Sequence, residues 1–417
     1  MVLFRGFRGW RPQPGSELEV ASVPYDVVNR EEAVALAEGK RNSFLHVVRP
    51  DIDLPADTSP YSDVMYQTAK ENLDRLIRDQ ILIQDAEPTI YLYRQQMELF
   101  GTCVSQTGVV GCCHIDDYLQ NRIKKHEKTR QAKEDDRTRH VRTLDAHTGP
   151  VFLLHKDDTE IDQLVAMDTE SMPLYDFEAE DGVRHTVWKV ADPQAYTRGF
   201  SNHDAVYVAD GHHRSASAAR AGNEIREETP NTPDDAESNW FLAVLFSASD
   251  LSILPYHRVV KDLNGKSAEA IRGQLQSVGT LKPADTAMPA AAGAFGVYLD
   301  GDWWTLTLDP NSIDHDDPIR SLDYVLLSER VLGPLLGIED IRTDNRIDFV
   351  GGIRGTVELE RRVDSGDMAI AFAMYPTTVD QLLAVADADA IMPPKSTWFE
   401  PKLRSGLLVH TLDTIKR

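Results

Sequence analysis

In VYVADGHHRSASAAR, Val206 to Arg220, two histidines and an arginine follow directly on a glycine and precede a run of small residues. Gly211 lets the chain bend after an apolar strand, because it has no Cβ to clash. Ser215, Ala216, Ser217, Ala218 and Ala219 permit a closely packed helix behind it. The start of such a helix offers unpaired N–H groups and a dipole that favours an anion. Gly211, His212, Arg214 and Ser215 then read as the rim of a phosphate loop, with Arg214 as a planar two-donor grip. His213 can donate or exchange a proton, and Asp210 can orient a histidine or hold a metal beside the phosphates. Two other readings stand beside this one. His212, His213 and Asp210 can be metal ligands completed by His203, Asp204 or His257, although adjacent histidines diverge and no ligand spacing supports them. A surface turn with incidental histidines is the plainest reading.

IKKHEKTR, Ile123 to Arg130, gathers Lys124, Lys125, His126, Glu127, Lys128 and Arg130. On a helix Lys124 and Lys128 share one face, and His126 and Arg130 another. That helix would neutralise phosphate while Glu127 or His126 takes a substrate proton. A solvated charged face is the alternative. Three lysines within five positions stand out in a chain that has 14.

MPPKSTWFEPKLRSG, Met392 to Gly406, brings Lys395, Ser396, Thr397, Lys402 and Arg404 into a proline-stiffened loop. The loop suits a second anion contact, or packing alone. It lacks the glycine-rich approach of a Walker A sequence. Asp26 and Glu31, in PYDVVNREEA, are candidates for a general base or a magnesium ligand, unless they serve only the helix start near Asn29. His257 gains a role only if it faces the central loop. Cys112 and Cys113 lack Cys-x-x-Cys spacing and read as buried packing, and Trp303 and Trp304 read as cover for a hairpin face.

The elements that must position these residues follow from periodicity. A helix is expected from Asn29, a strand through FLHVV, and an amphipathic helix in SDVMYQTAKENLDRLIRDQIL, where Leu73, Leu76, Ile77 and Ile81 recur at helical spacing. TIYLYRQQMEL alternates like a strand, and SQTGVVGCCHID continues it across a turn at Gly108. One or two helices follow in the charged interval from Asp116, then the strand GPVFLLHKD and a hairpin turning at Asp181 and Gly182. WFLAVLFSA is a further strand. From Ser267 a helix, the hairpin AFGVYLDGDWWTLTL, the helical LDYVLLSERVLGPLLG and the strand IDFVGG form a second series. The mixture predicts an α+β fold, divided near residues 262 to 270.

Composition limits the partners. The net charge is −23, from 43 Asp and 24 Glu against 30 Arg and 14 Lys. Such a surface repels itself in dilute salt and is relieved by high salt, so a halophilic host is expected. It disfavours general nucleic-acid binding, which draws on phosphate neutralisation. No apolar run approaches about 18 residues, so no membrane span is expected. With three cysteines and no signal-peptide pattern in MVLFRGFRGWRP, the expected location is cytoplasmic.

The box DGHHRSASAA resembles the Gly-x-His-Arg box of the ParB and sulfiredoxin superfamily, and the whole chain resembles the domain of unknown function 1015 family. The segments that carry the second resemblance are VPYDVVNREEA, FLHVVRP, IKKHEKT, ADGHHR, LPYHRVVKDLNG and MPPKSTWFEPKLRSGL, which span nearly all 417 residues. In the superfamily the box sits at a strand-to-helix turn and contacts nucleotide phosphates. Its members include a nucleotide-hydrolysing partition protein, a reductase of oxidised peroxiredoxin and kinases of free serine. The resemblance makes Gly211 the turn glycine, His213 the box histidine and Arg214 the phosphate-gripping arginine. His212 stands where the reductase has its cysteine, which argues against that chemistry.

The resemblance therefore implies a ParB/sulfiredoxin-like nucleotide-binding core over residues 1–265. A second α+β region, 266–417, would contribute its terminal loop to the site. The implied function is a nucleotide-dependent phosphotransferase acting on a small hydroxylated metabolite, serine being the acceptor by analogy, with ATP or ADP and Mg2+ as cofactors. A non-catalytic nucleotide sensor and a metal-dependent hydrolase are the alternatives, and the oligomeric state is left open.

Overall fold

Alternation in YLYRQQMEL and its continuation produces two paired strands, Tyr91–Leu99 and Thr102–His114, which turn at Phe100 and Gly101. Gly108 lies inside the second strand rather than at the expected turn. A Cβ there would sit 2.4 Å from Val244 Cγ1 and 2.7 Å from Phe246 Cζ, so the neighbouring strand requires the glycine. The computed structural model describes residues 1–414 and divides the chain into two units. One is Met1–Leu251 with the chain's return from Pro401; the other is Ser252–Glu400. The chain leaves the first unit earlier than residue 265 because Tyr256–Val260 pairs with Ile347–Gly351 and Ile370–Ala373 of the second unit. It comes back because His410–Thr411 pairs with Ala146–His147.

The first unit is built on nine strands: β1 Phe4–Arg5, β2 Tyr91–Leu99, β3 Thr102–His114, β4 Ile123–Lys124, β5 Val151–His155, β6 Tyr175–Glu178, β7 Arg184–Lys189, β8 Val206–Asp210 and β9 Trp240–Ser247. Their order is β4-β8-β5-β9-β3-β2-β7-β6, with β1 paired to β3. Pairs β4/β8 and β5/β9 are parallel and the rest antiparallel, so the sheet is mixed and the fold is α+β. Three helices matter for the site: α1 Asp63–Arg78, α2 Gln131–Leu144 and α3 His212–Glu228.

Two expected elements change type. Ile123 and Lys124 are not helical but pair with Val206 and Tyr207, and the helix begins only at Gln131. FLHVV is not a strand: Leu45–Val48 is one buried helical turn in a cluster with Leu73 and Leu76 of α1. Its four residues bury Leu45, Val47 and Val48 against that helix, a packing solution that outweighs the β-branched preference. Asn29 caps as expected, with a full capping box through Glu32.

The second unit has a six-stranded antiparallel sheet, ordered Thr280–Pro283, Asp302–Thr307, Ala294–Leu299, Ile370–Ala373, Tyr256–Val260 and Ile347–Gly351. Phe295, Val297, Leu306 and Phe372 from the sheet bury against Leu327 and Leu332 of the helical run. No helix among the described residues is long and apolar enough to cross a membrane.

Candidate functional site

Strand β8 ends in Asp210, and Gly211 takes φ 90°, ψ 34° before α3 begins at His212. That left-handed conformation favours glycine. Ser215 and Ala216 to Ala219 are buried, which lets α3 pack closely as its small residues suggest. A Cβ at Gly211 would lie 3.0 Å from Arg214 Nε and 3.2 Å from its Nη2. The guanidinium thus folds back over the helix start, and the glycine leaves room for it.

Arg214 Nη1 donates to the Pro150 carbonyl at 2.5 Å, and Nη2 stands 3.8 Å from Asp210 Oδ2. Its Nε is buried without a hydrogen-bond partner among the described residues. Burial opposes the Arg214 charge, but Asp26, Asp210 and Tyr25 outweigh it and hold the guanidinium above its usual pKa. Asp210 is held from the other side as well: Oδ1 accepts from the Gly211 N–H at 2.8 Å and Oδ2 from Lys402 Nζ at 3.2 Å. Burial would raise its pKa, yet Lys402 and Arg214 keep it well below the usual carboxylate range.

The remaining residues of the two basic segments divide. His126 and His212 are buried with their rings edge-to-face at 4.5 Å, and burial pushes His126 down to about 4 and His212 well below its ordinary value. Glu127 Oε2 lies 3.6 Å from His212 Nδ1. His213 Nε2 accepts the Arg130 N–H at 3.1 Å, and burial, partly countered by Asp26, lowers its pKa. Ser215 donates to the His212 carbonyl inside the helix. Lys124 sits in β4, whereas Lys128 is exposed in the following turn, so the shared helical face does not exist. Glu31 is exposed in the first turn of its helix, and Asp26 is exposed beside the groups it acts on.

Lys395, Ser396 and Thr397 belong to the second unit. There Arg258 donates to the Lys395 carbonyl and Ser396 donates to the Pro393 carbonyl. His257 is likewise a packed residue of that unit, accepting the Met374 N–H at 3.1 Å. Asp210, His212 and His213 face Lys402, Glu127 and Arg130 respectively. Among the described residues no three His, Cys, Asp or Glu side chains gather in a metal-holding group.

Beside Arg214 the first unit holds a partly open cavity of about 30 Å³ lined by Tyr25, Arg137, His140, His147, Arg214 and Ser405, among others. Arg137 lies 4.3 Å over the Tyr25 ring and pairs with Asp136 at 2.8 Å. His140 Nε2 meets the Val47 carbonyl at 3.1 Å, and burial pushes its pKa down to about 3. Two guanidinium groups, two imidazoles held neutral by burial and several hydroxyls therefore surround one small space. Such a lining can bind an anionic group and exchange its protons. Arg137, His140 and His147 belong to none of the sequence motifs; Arg137 and His140 share helical spacing in α2, but nothing local announces the cavity they share with Arg214.

Fold and site together define an α+β protein with a cation-lined cavity behind a strand–glycine–helix turn. The chain belongs to the family described as Protein of unknown function (DUF1015), whose model matches residues 4–325. No curated protein matches it. Among solved structures it is similar to a conserved hypothetical protein from Pyrococcus furiosus, at 13% identity over 72% of this chain and 94% of that one, with TM-score 0.35. It is also similar to a free serine kinase in complex with AMP, at 11% identity over 71% and 90%, TM-score 0.37. The third is a C-terminally truncated SbnI from Staphylococcus aureus, at 10% identity over 74% and 90%, TM-score 0.37.

Proposed function

We propose that the first unit is a ParB/sulfiredoxin-like nucleotide-binding core, and that it transfers a phosphoryl group from ATP or ADP to a small hydroxylated metabolite, with serine as the first acceptor to test. The observation that carries this reading is Arg214. Its side chain is only 12% exposed, its charge is reinforced, one donor is unfilled, and it lines the cavity next to the start of α3. Asp26 and Asp210 hold the charge, and the unfilled Nε–H remains as a charged donor for which an anionic oxygen is the natural acceptor.

The cavity's size restricts what enters. About 30 Å³ is room for a phosphoryl group's tip or an acceptor hydroxyl, and the rest of a nucleotide would lie outside it. Magnesium, if bound with the nucleotide, supplies charge shielding for the phosphates. Asp210 fits such an ion poorly because Lys402 and the Gly211 N–H already occupy its oxygens, whereas the exposed Asp26 fits it better.

The same small cavity also suits a sensor that grips one end of a nucleotide without turning it over. Incubating the protein with ATP or ADP and a panel of amino acids and small alcohols separates the two. Phosphorylated acceptor supports the transferase. Saturable nucleotide binding with no product supports the sensor, and absence of both refutes the nucleotide reading.

A further inference from the structure

His147 and His410 are directly opposed in the short antiparallel pair Ala146–His147 with His410–Thr411. Their Nδ1 atoms lie 3.1 Å apart, with ring planes within 6° and centroids 5.4 Å apart. So long a centroid separation for nitrogens this close sets the hydrogen bond along the line joining the rings. On the far side, His410 Nε2 meets Glu237 Oε2 at 2.7 Å, and Arg5 Nη2 reaches the same oxygen at 2.8 Å. Both rings are buried, at 5% and 2% exposure, while Glu237 keeps 31% of its side chain exposed. His147 lines the cavity, and its Nε2 is buried without a hydrogen-bond partner among the described residues.

The tautomers follow from the carboxylate. In the neutral form of His410 the Nε2–H donates to Glu237, which leaves a lone pair at Nδ1; His147 then donates from Nδ1 and carries its own lone pair at Nε2. Arg137, His140 and Arg214 share the cavity wall, and burial keeps His147 neutral there. The result is an unpartnered imidazole nitrogen on a residue of the cavity wall, whose other nitrogen is wired through a second imidazole to a partly exposed carboxylate.

We infer that His147 is the general base of the site and that His410 and Glu237 position it and carry its proton outward. The inference rests on the transferase reading above. The acceptor's O–H proton passes to His147 Nε2 as its oxygen forms a bond to the terminal phosphorus. The bond from that phosphorus to the bridging oxygen breaks, and its electron pair leaves with the shortened nucleotide. The His147 Nδ1 proton moves to His410 Nδ1, giving an imidazolium held against Glu237. No oxidant or further reactant is needed.

The experiment measures steady-state transfer from ATP or ADP by the full chain and by His147→Gln, His410→Gln and Glu237→Gln, with nucleotide affinity measured separately. His147→Gln is expected to lower kcat about 100-fold or more, a loss far larger than any change in nucleotide affinity. Glu237→Gln keeps the shape and an acceptor oxygen for His410 and Arg5, and is expected to lower kcat about tenfold at constant KM, a split that a merely structural residue would not produce. Wild-type turnover that His147→Gln retains overturns the inference alone. A wild-type chain that binds nucleotide but transfers nothing overturns the transferase reading, and the general base with it.

Discussion

Lys402 Nζ stands 3.2 Å from Asp210 Oδ2, joining the chain's C-terminal return to the residue just before the Gly211 bend. The contact clamps the strand end from which α3 departs. Lys402→Met removes the nearest cation and leaves Asp210 with the more distant Arg214. The expected loss is roughly 1–3 kcal/mol, below the range for fully buried pairs because Asp210 keeps about a third of its side chain exposed. The depressed Asp210 pKa gives the clamp its full contribution above about pH 4, fading as pH falls through the lowered value. Urea titrations of wild type and variant at pH 7 and pH 3 check it: the gap between them should shrink at the lower pH.

Gly211→Ala tests the bend itself. At φ 90° an alanine is strained, and its Cβ would press on the Arg214 guanidinium at 3.0 to 3.2 Å. The backbone term alone costs about 1–2 kcal/mol. Displacing Arg214 should also weaken nucleotide binding, read by calorimetric titration. Unchanged affinity at reduced stability would mean that Arg214 does not serve the ligand.

Burial holds His126, His155 and His257 down to about 4, and His140 and His185 down to about 3. Each stays neutral in the fold while the unfolded chain takes up a proton near its ordinary pKa of about 6.5. The unfolded state therefore binds more protons between about pH 6.5 and pH 4, and stability must fall as pH drops through that window. Each such histidine contributes up to about 1.4 kcal/mol per pH unit. The midpoint of urea unfolding should decline steadily from pH 7 to pH 4.5; a flat profile would refute the buried-neutral assignment.

How much of this was legible in the sequence depended on the range of the signal. Gly211, the small residues after it and the capping box at Asn29 are local patterns, and the structure contains them. Lys124 and Lys128 misled because charge spacing says nothing about pairing partners: Ile123 was already committed to a parallel strand beside Val206. Gly108 carried the opposite trap, a glycine demanded by Val244 and Phe246 across the sheet rather than by a turn. His147 and His410 are 263 positions apart, and neither has a local pattern that announces the other. Their juxtaposition exists only because the chain leaves the first unit and returns to it.

The net charge of −23 is predicted to make stability rise with salt. Self-repulsion among the acidic groups is long-ranged, and a Debye length of about 10 Å at 0.1 M shrinks to about 3 Å at 1 M. Many ion pairs here, such as Arg342 with Asp340 and Arg198 with Asp192, are exposed and contribute little individually, so screening them costs less than the relief of net repulsion. The thermal midpoint should therefore climb between 0.1 M and 2 M potassium chloride. A falling midpoint would show that the surface pairs outweigh the repulsion.

Arg214→Lys separates charge from shape at the centre of the site. Lysine keeps the positive charge near Asp210 but cannot reach the Pro150 carbonyl with one nitrogen while offering others toward the cavity. Had the arginine served only to balance Asp210, the lysine variant would fold and bind like the wild type. The unfilled Nε and the cavity beside it favour the other outcome, in which the planar fork is what the ligand engages. Affinity for ATP or ADP, followed by calorimetry in the same buffer, should then drop about tenfold or more, as expected when a directed charge-assisted guanidinium hydrogen bond is replaced by a point charge. The melting temperature of the unliganded protein should move far less than the affinity.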